Sequence, residues 1–352
     1  MSVSIKPSVS IVIPTYNEEE NIEAVVGGFL ASSYSNILEI LVVDGNSSDS
    51  TTIKVAELSY LYSKVKLLHN PFRIQSTALN IGLEACQGDI FLRADAHCQY
   101  ATDYVEKCIQ TLLTTNATNV GGAQRFVATG KFQAGVALAA NSLLGNGGAK
   151  YRNPQYNGYV DTVFLGCMWT KTLIDVRGYS NQITNEDAEL NQRLLKKNDD
   201  AIYISSDIKV WYYPRQTWIS LYIQYFKYGR GRFLTSIKHK KNIQLRGKLP
   251  FLFVSCMIAL FGFDLLFSQI NLHTQELFIL GLVAVFAESL RVNLKCNGDF
   301  YKEVWRGSED SPPSLFIRWL TCGIVIMTLP VAHFSGYGYQ LFRNKFLKIS
   351  DW

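Results

Sequence analysis

Four short apolar runs alternate with helical patterns over the first 113 residues. Val9–Ile13, Leu38–Val43, Val65–His69 and Ile90–Arg93 are rich in Val and Ile and bounded by turn residues, so each reads as a buried strand. Glu19–Leu30, Ser50–Tyr62, Ile74–Ala85 and Tyr104–Leu113 carry the helical patterns. This alternation leaves few topologies. Right-handed crossovers lay the strands side by side in a parallel sheet with helices on both faces. The expectation is an α/β fold: a Rossmann-like domain with a mostly parallel sheet. Such sheets bind ligands at the carboxyl ends of their strands.

The residues just after those strands are acidic. Pro14-Thr15-Tyr16-Asn17-Glu18 follows the first, Asp44-Gly45-Asn46-Ser47-Ser48-Asp49 the second, and Asp95-Ala96-His97 the fourth. No GxGxxG and no GxxxxGK[ST] occurs, so neither a Gly-rich dinucleotide turn nor a P-loop is supported. An acidic rim at that depth suits a divalent cation bridging the protein and a diphosphate, with Mg²⁺ or Mn²⁺ favoured by carboxylates and Mn²⁺ tolerated by a His. Each piece also has a plain structural reading. Asp44-Gly45 is a common turn, Ser47–Ser50 can cap a helix, and His97 can be an ordinary loop histidine. Asn185-Glu186-Asp187-Ala188-Glu189 opens a helix running to Leu195. Acids in a first turn are favoured by the macrodipole, and Asp187 can instead serve as a general base.

With 48% hydrophobic and 18% charged residues in 352, the chain is neither disordered nor a long coiled coil. Seven Cys without a CxxC pair read as reduced thiols in a reducing compartment. The first apolar run is too short for a secretory signal, so the N-terminal portion is expected to stay in the compartment of synthesis. The last hundred residues differ. Leu249–Ser268, Leu277–Leu290 and Ser314–Gly336 read as two or three membrane segments, the second short and carrying Glu288. Asp264 and Glu288 are costly in lipid and need a protein interior or an interface.

The net charge of +5 is unevenly placed. Lys209–Lys248 holds ten Lys/Arg and no Asp or Glu, so the rest of the chain, 24 basic against 29 acidic residues, is net −5. Trp218, Leu221, Tyr222, Tyr225, Phe233 and Ile237 recur there at helical spacing, which reads as a basic amphipathic helix on an anionic membrane surface. No nucleic-acid fold signature accompanies it, and a nucleic-acid partner is not expected. The division read from these patterns is a catalytic domain over 1–208, an interfacial segment over 209–248 and membrane-embedded helices with a tail over 249–352.

Taken together, VSIVIPTYNEEENI, LVVDGNSSDST, Asp95-x-His97 and NEDAELNQRL resemble the family 2 inverting glycosyltransferases with the GT-A fold, over about residues 7–235. RADAHC, NGGAKYR, YVDTVFLG and YYPRQTW running into QYFKYGRGR resemble, more narrowly, the membrane-associated succinoglycan-biosynthesis ExoA-type branch. The resemblance implies that Pro14, Tyr16 and Glu18 form the first nucleotide-contact loop and that Asp44 bonds the base. It implies that Asp95 and His97 occupy the D-x-D positions and hold a Mn or Mg ion at the diphosphate, and that Asp187 is the catalytic base. Glu186 and Gln224 join the substrate-binding set. Gln224-Tyr225-Phe226-Lys227-Tyr228 stands where processive synthases have Q-x-x-R-W, and its Lys and Tyr point to transfer of a single sugar. Arg152, Arg215 and Lys227 are candidates, by charge, for the diphosphate.

The activity so implied is inverting transfer of one sugar from a nucleotide-diphosphate sugar, with UDP-sugar favoured, to a lipid-linked saccharide in polysaccharide biosynthesis. The expected location is the inner (plasma) membrane with the catalytic domain on the cytoplasmic side. The alternatives are a polyprenyl-phosphate sugar transferase resembling the dolichol-phosphate mannosyltransferases, and an inactive nucleotide-sugar-binding membrane scaffold.

Overall fold

The computed structural model describes residues 6–239, 247–267, 272–307, 311–349 and 352. In chain order the first elements are β1 (Val9–Thr15), α1 (Ile22–Leu30), β2 (Ile37–Asp44), α2 (Thr51–Leu61), β3 (Val65–His69), α3 (Gln75–Ala85) and β4 (Ile90–Arg93). Then come β5 (Cys98–Tyr100), α4 (Tyr104–Thr114), β6 (Asn119–Phe126), α5 (Lys131–Ala140), α6 (Leu143–Asn146), β7 (Gly158–Tyr159) and β8 (Cys167–Trp169). The chain ends with α7 (Thr170–Asp175), α8 (Glu186–Leu195), β9 (Ile202–Tyr212), α9 (Trp218–Lys238), α10 (Leu249–Leu266), α11 (Thr274–Cys296) and α12 (Leu315–Lys345). Two compact units result, one from residues 1–125 and 150–212, the other from 126–149 and 213–352.

The first unit is built on a sheet ordered β3-β2-β1-β4-β8-β6-β9-β5, with β7 on β9. The four strands expected from sequence form its parallel half: β1 pairs with β2 and β4, and β2 with β3, all parallel. Beyond β4 the sheet continues antiparallel, β8 pairing with β4 and β6, and β5 and β7 with β9. Seven of the eight β2 residues are buried, as expected of a strand covered on both faces. Val12, Leu41, Val43, Phe91, Met168, Ile202 and Ile204 form the centre of one core cluster, packed by Ala78 and Leu79 of α3 and Leu190 and Leu194 of α8. Each such side chain contributes about 1.5–3 kcal/mol on full burial. Register sets the function: Thr15 lies beside Asp44, Asp44 beside His69, and Val12 beside Arg93, so the carboxyl ends of the parallel strands share one edge.

The second unit is helical. Of the basic stretch Lys209–Lys248, residues 240–246 with Lys240, Lys241 and Arg246 lie outside the described residues, as does Ser268 at the end of the first apolar run. Its first residues finish β9, and α9 starts at a capping box in which the Thr217 hydroxyl accepts from the Ser220 amide. One face of α9 packs on α12. Trp218 Nε1 donates to Thr328 Oγ1 at 2.9 Å, and Tyr222 and Ser335 share a hydroxyl bond at 3.1 Å. The two backbones approach where both helices carry glycine: a Cβ on Gly336 would sit 1.9 Å from the Phe226 carbonyl, and one on Gly229 2.1 Å from the His333 carbonyl. Lys227 and Lys238 are exposed.

By length and composition α10, α11 and α12 can each cross a bilayer, with mean hydropathies of 2.2, 1.8 and 1.9 over their most apolar windows. The second segment, short in the apolar pattern, gains its length from polar ends and reaches 23 residues. The two acids flagged as costly in lipid have partners. Asp264 accepts from the Leu272 amide at 2.8 Å and from Thr274 Oγ1 at 2.5 Å, and Glu288 takes Arg291 at 2.6 and 2.8 Å. These three helices associate the chain with a membrane.

Candidate active site

Two loops are laced together beyond β1 and β2. The amides of Asn17, Glu18 and Glu19 donate to Ser47 Oγ, Thr51 Oγ1 and Asp49 Oδ2, at 2.9, 2.8 and 3.2 Å. In return Asn17 Oδ1 accepts from the Ser48 amide and Glu19 Oε2 from the Ser50 amide, both at 2.9 Å. Asp44 is buried and accepts from both the amide and the hydroxyl of Ser47, at 2.9 and 2.5 Å. Residues 45–47 form a loop without the common turn that Asp44-Gly45 offered, and the Asp44 carboxylate, with two occupied acceptor positions, has capacity for a further donor. Pro14 is half-buried in β1, and Tyr16 is exposed with the Arg73 guanidinium 5.5 Å over its ring.

Glu18 reaches the loop after β4. Its Oε1 lies 3.2 Å from His97 Nδ1, and its Oε2 accepts from Asn21 Nδ2 at 2.9 Å. A carboxylate at Nδ1 fixes the imidazole orientation and leaves Nε2 for another partner. Tyr212 packs edge-on to the His97 ring at 5.3 Å. Asp95 is held at its backbone by Tyr100, whose hydroxyl takes the Asp95 amide at 2.7 Å and lies 3.0 Å from its carbonyl. Among the described residues no group of three or more His, Cys, Asp or Glu side chains can hold a metal ion alone. A hard divalent cation at a phosphate takes one or two carboxylates and fills its shell with substrate oxygens and water. The Asp95–His97 pair therefore fits a cation shared with a diphosphate and does not fit a self-sufficient metal cage.

A buried charge cluster joins this rim to α8. Arg93, at the end of β4, donates from Nε to Asp95 Oδ1 at 3.2 Å and from Nη1 to Glu186 Oε1 at 2.9 Å. All three side chains are under a tenth exposed. Burial works against the Arg93 charge, yet Asp95 and Glu186, with Tyr179 and Asp187 beyond them, hold its pKa well above the ordinary value. Burial pushes Glu186 up to about 7; Arg93 pulls it down and Asp187 pushes it further up. The Tyr179 hydroxyl is buried there with no hydrogen-bond partner among the described residues. Asp187 is half-buried, one residue into α8, and its Oδ1 accepts from the Ala188 amide at 2.7 Å. Asn185 makes the entry to that helix possible by taking a left-handed φ of 61°.

The raised Glu186 value makes stability pH-dependent. The folded chain keeps a proton that the unfolded chain releases above its ordinary value of 4.5. Stability is therefore full below 4.5 and declines as pH rises towards 7. The thermal midpoint of the detergent-solubilised chain should fall between pH 5 and pH 7.5, and fall less in Glu186→Gln. An equal fall in both would assign the effect to other groups.

The structure gathers Pro14, Tyr16, Glu18, Asp44, Asp95, His97, Arg152, Glu186 and Asp187 in the first unit. Arg152 lies in a 3₁₀ turn, its guanidinium 5.2 Å over the Tyr151 ring. Arg215, Gln224 and Lys227 belong to the second unit, where Arg215 and Lys227 are exposed and Gln224 Nε2 donates to the Tyr228 hydroxyl at 3.1 Å. Sequence reasoning assigned no place in the site to Arg93, Gln75 or Tyr100, and read Ser47 only as part of a possible helix cap. The signal available was Arg93 itself, an arginine inside an otherwise apolar strand.

The model of glycosyl transferase family 2 matches residues 10–173. The succinoglycan biosynthesis protein ExoA of Rhizobium meliloti is 36% identical over 243 residues, covering 68% of this chain and 73% of that protein. The chain belongs to glycosyl transferase family 2. A second relative of this family 2 glycosyltransferase is the dolichyl N-acetyl-alpha-D-glucosaminyl phosphate 3-beta-D-2,3-diacetamido-2,3-dideoxy-beta-D-glucuronosyltransferase of Methanococcus voltae. It is 26% identical over 304 residues, 83% of this chain and 90% of that one. The Escherichia coli UDP-Glc:alpha-D-GlcNAc-diphosphoundecaprenol beta-1,3-glucosyltransferase WfgD is 33% identical over 145 residues, 40% of this chain and 56% of that one. Among solved structures, the mannosyltransferase PcManGT of Pyrobaculum calidifontis, in complex with GDP-Man and Mn²⁺, superposes with a TM-score of 0.55 at 16% identity. The match covers 94% of this chain and 88% of that one. The shared architecture is the GT-A fold expected from the motifs.

Proposed function

We propose that this family 2 enzyme moves one sugar, with inversion, from a nucleotide-diphosphate sugar to a lipid-linked saccharide during polysaccharide assembly. The observation that carries the reading is the acidic edge itself. Asp44 ends β2 and Asp95 and His97 follow β4, on either side of β1, and Arg93 ties Asp95 to the helix that carries Asp187. In this reading Pro14, Tyr16 and Glu18 border the nucleotide, Asp44 accepts from the base, and Asp95 with His97 holds a divalent cation, Mn²⁺ or Mg²⁺. When bound, that cation offsets the charge that develops on the leaving diphosphate. Asp187 accepts the proton of the acceptor hydroxyl as its oxygen attacks the anomeric carbon. The bond to the diphosphate breaks in the same displacement, the nucleotide diphosphate leaves with the electron pair, and an α-linked donor gives a β product. Arg152 supplies positive charge for the diphosphate, and Glu186 completes the set of this unit.

The E. coli relative's name specifies a UDP-linked donor and a diphosphoundecaprenol acceptor, which supports UDP-sugar and a lipid-linked saccharide here. The catalytic residues lie in 1–208, α9 with its exposed lysines serves the membrane surface, and 249–352 is the anchor. A cytoplasmic face of the inner membrane suits a donor made in the cytoplasm.

Calorimetry tests the donor site. Asp95→Ala in the full chain should abolish Mn²⁺-dependent binding of the nucleotide-sugar donor, weakening it by at least about 10-fold. Unchanged affinity would remove Asp95 from the cation site. Transfer of radiolabelled sugar to a lipid-linked saccharide, and none to bare polyprenyl phosphate, identifies the acceptor. The reverse result would favour the polyprenyl-phosphate transferase.

A further inference from the structure

Arg93 stands apart from every surface cation in the chain. It is a single positive charge, fully enclosed, with two carboxylates on it from two different elements. Asp95 Oδ1 meets Nε and Glu186 Oε1 meets Nη1, in the forked geometry that only a guanidinium offers. Gln75 Nε2 also donates to Asp95 Oδ1, at 3.3 Å. Both side-chain donors thus converge on one oxygen, and among the described residues no hydrogen bond is made to Oδ2. That leaves Oδ2 as the oxygen available to a cation. On the other side of the guanidinium, Glu186 is the first residue of α8 and Asp187 the second. Asp187 and Tyr179 also stand in the electrostatic field of Arg93.

We propose that Arg93 is a positioning residue that shares its charge between Asp95 and Glu186, so that loading the donor with its cation at Asp95 tightens the hold on the helix bearing the base. The inference rests on the reading of Asp95 as a cation ligand. Its logic is electrostatic. A cation at Asp95 draws that carboxylate's charge away from Arg93, and Arg93 then engages Glu186 more fully. Coupling of this kind is reciprocal. The Glu186 carboxylate keeps part of the Arg93 charge off Asp95 and so favours the cation.

The test uses the full chain in detergent at pH 8, with free Mn²⁺ followed by electron paramagnetic resonance in the presence of UDP, or of GDP where UDP supports no wild-type binding. Glu186→Gln leaves the whole Arg93 charge on Asp95, and the Mn²⁺ Kd should rise about fivefold or more. Arg93→Met combined with Glu186→Gln removes the guanidinium together with one of its two carboxylates and leaves Asp95 with Gln75 as its side-chain donor. Its Kd should return to within about twofold of wild type while kcat falls about 100-fold, because Asp95 and α8 are no longer tied. A purely structural role would shift the unfolding midpoint and leave this split between Kd and kcat absent. Equal Kd values for wild type and Glu186→Gln overturn the proposal, as does a double variant with wild-type kcat. If the double variant does not fold, the Glu186→Gln comparison decides alone. Absence of Mn²⁺ binding in the wild type overturns the cation reading itself, and this inference with it.

Discussion

Replacing Asp187 by Asn lowers sugar transfer by about 10²–10⁴-fold, the range supplied by a positioned general base. The substitution changes no more than one atom of the side chain, and Asn keeps an oxygen for the Ala188 amide that Asp187 Oδ1 now accepts. What is lost is the capacity to take a proton. Donor affinity should stay within about twofold, because the proposed reading places the nucleotide and the cation at the ends of β1, β2 and β4, not at α8. Single-turnover transfer and donor calorimetry on the same preparation give both quantities. A variant with near-normal turnover would remove Asp187 from the role of base, and a parallel loss of donor affinity would make it a binding residue.

The second large effect concerns stability. Arg93→Met leaves Glu186 and Asp95 buried without the cation that now compensates them. Removing one partner of a buried ion pair costs about 3–5 kcal/mol. For Glu186 the cost is limited by its own chemistry: already pushed up to about 7, it protonates more readily once Arg93 is gone. The loss should therefore be smaller at pH 5.5 than at pH 8, in denaturant titrations of the solubilised chain followed by Trp fluorescence. The combined Arg93→Met and Glu186→Gln variant should recover part of the loss, since only Asp95 is then buried without its cation. A single variant as stable as wild type at pH 8 would show that the cluster is more solvated than its burial indicates.

The parallel half of the fold was legible in the chain because it rests on local signals. β3 and β4 fall on the expected residues, and β1 and β2 differ only at their ends by one or two residues. Their helices likewise start and stop within three residues of the expected limits. Two-sided burial demands unbroken Val/Ile/Leu runs, and such runs are visible without any partner strand. The antiparallel half was not read. β5, β7 and β8 are two or three residues long and carry no periodicity of their own. They exist because β4 and β9 offer them edges.

The site divides in the same way. Asp44, Asp95 and Asp187 could be named from their places after strands and at a helix start, since ligands gather at the carboxyl ends of parallel strands. Glu18 was placed in the nucleotide loop, but its contact with His97 spans 79 positions and no spacing rule expresses it. The same holds for Glu186, 93 positions from Arg93. In isolation Glu186 reads as an ordinary first-turn acid of a helix, favoured there by the macrodipole. The sequence by itself determined the strand–helix alternation, the acidic residues at the strand ends, the three apolar segments and the family, because each is written in local composition and order. Only the tertiary structure decided which carboxylates share one guanidinium. Such pairing depends on where β4 and α8 come to lie in the folded sheet, and Coulombic coupling follows distance in space and dielectric, not position along the chain.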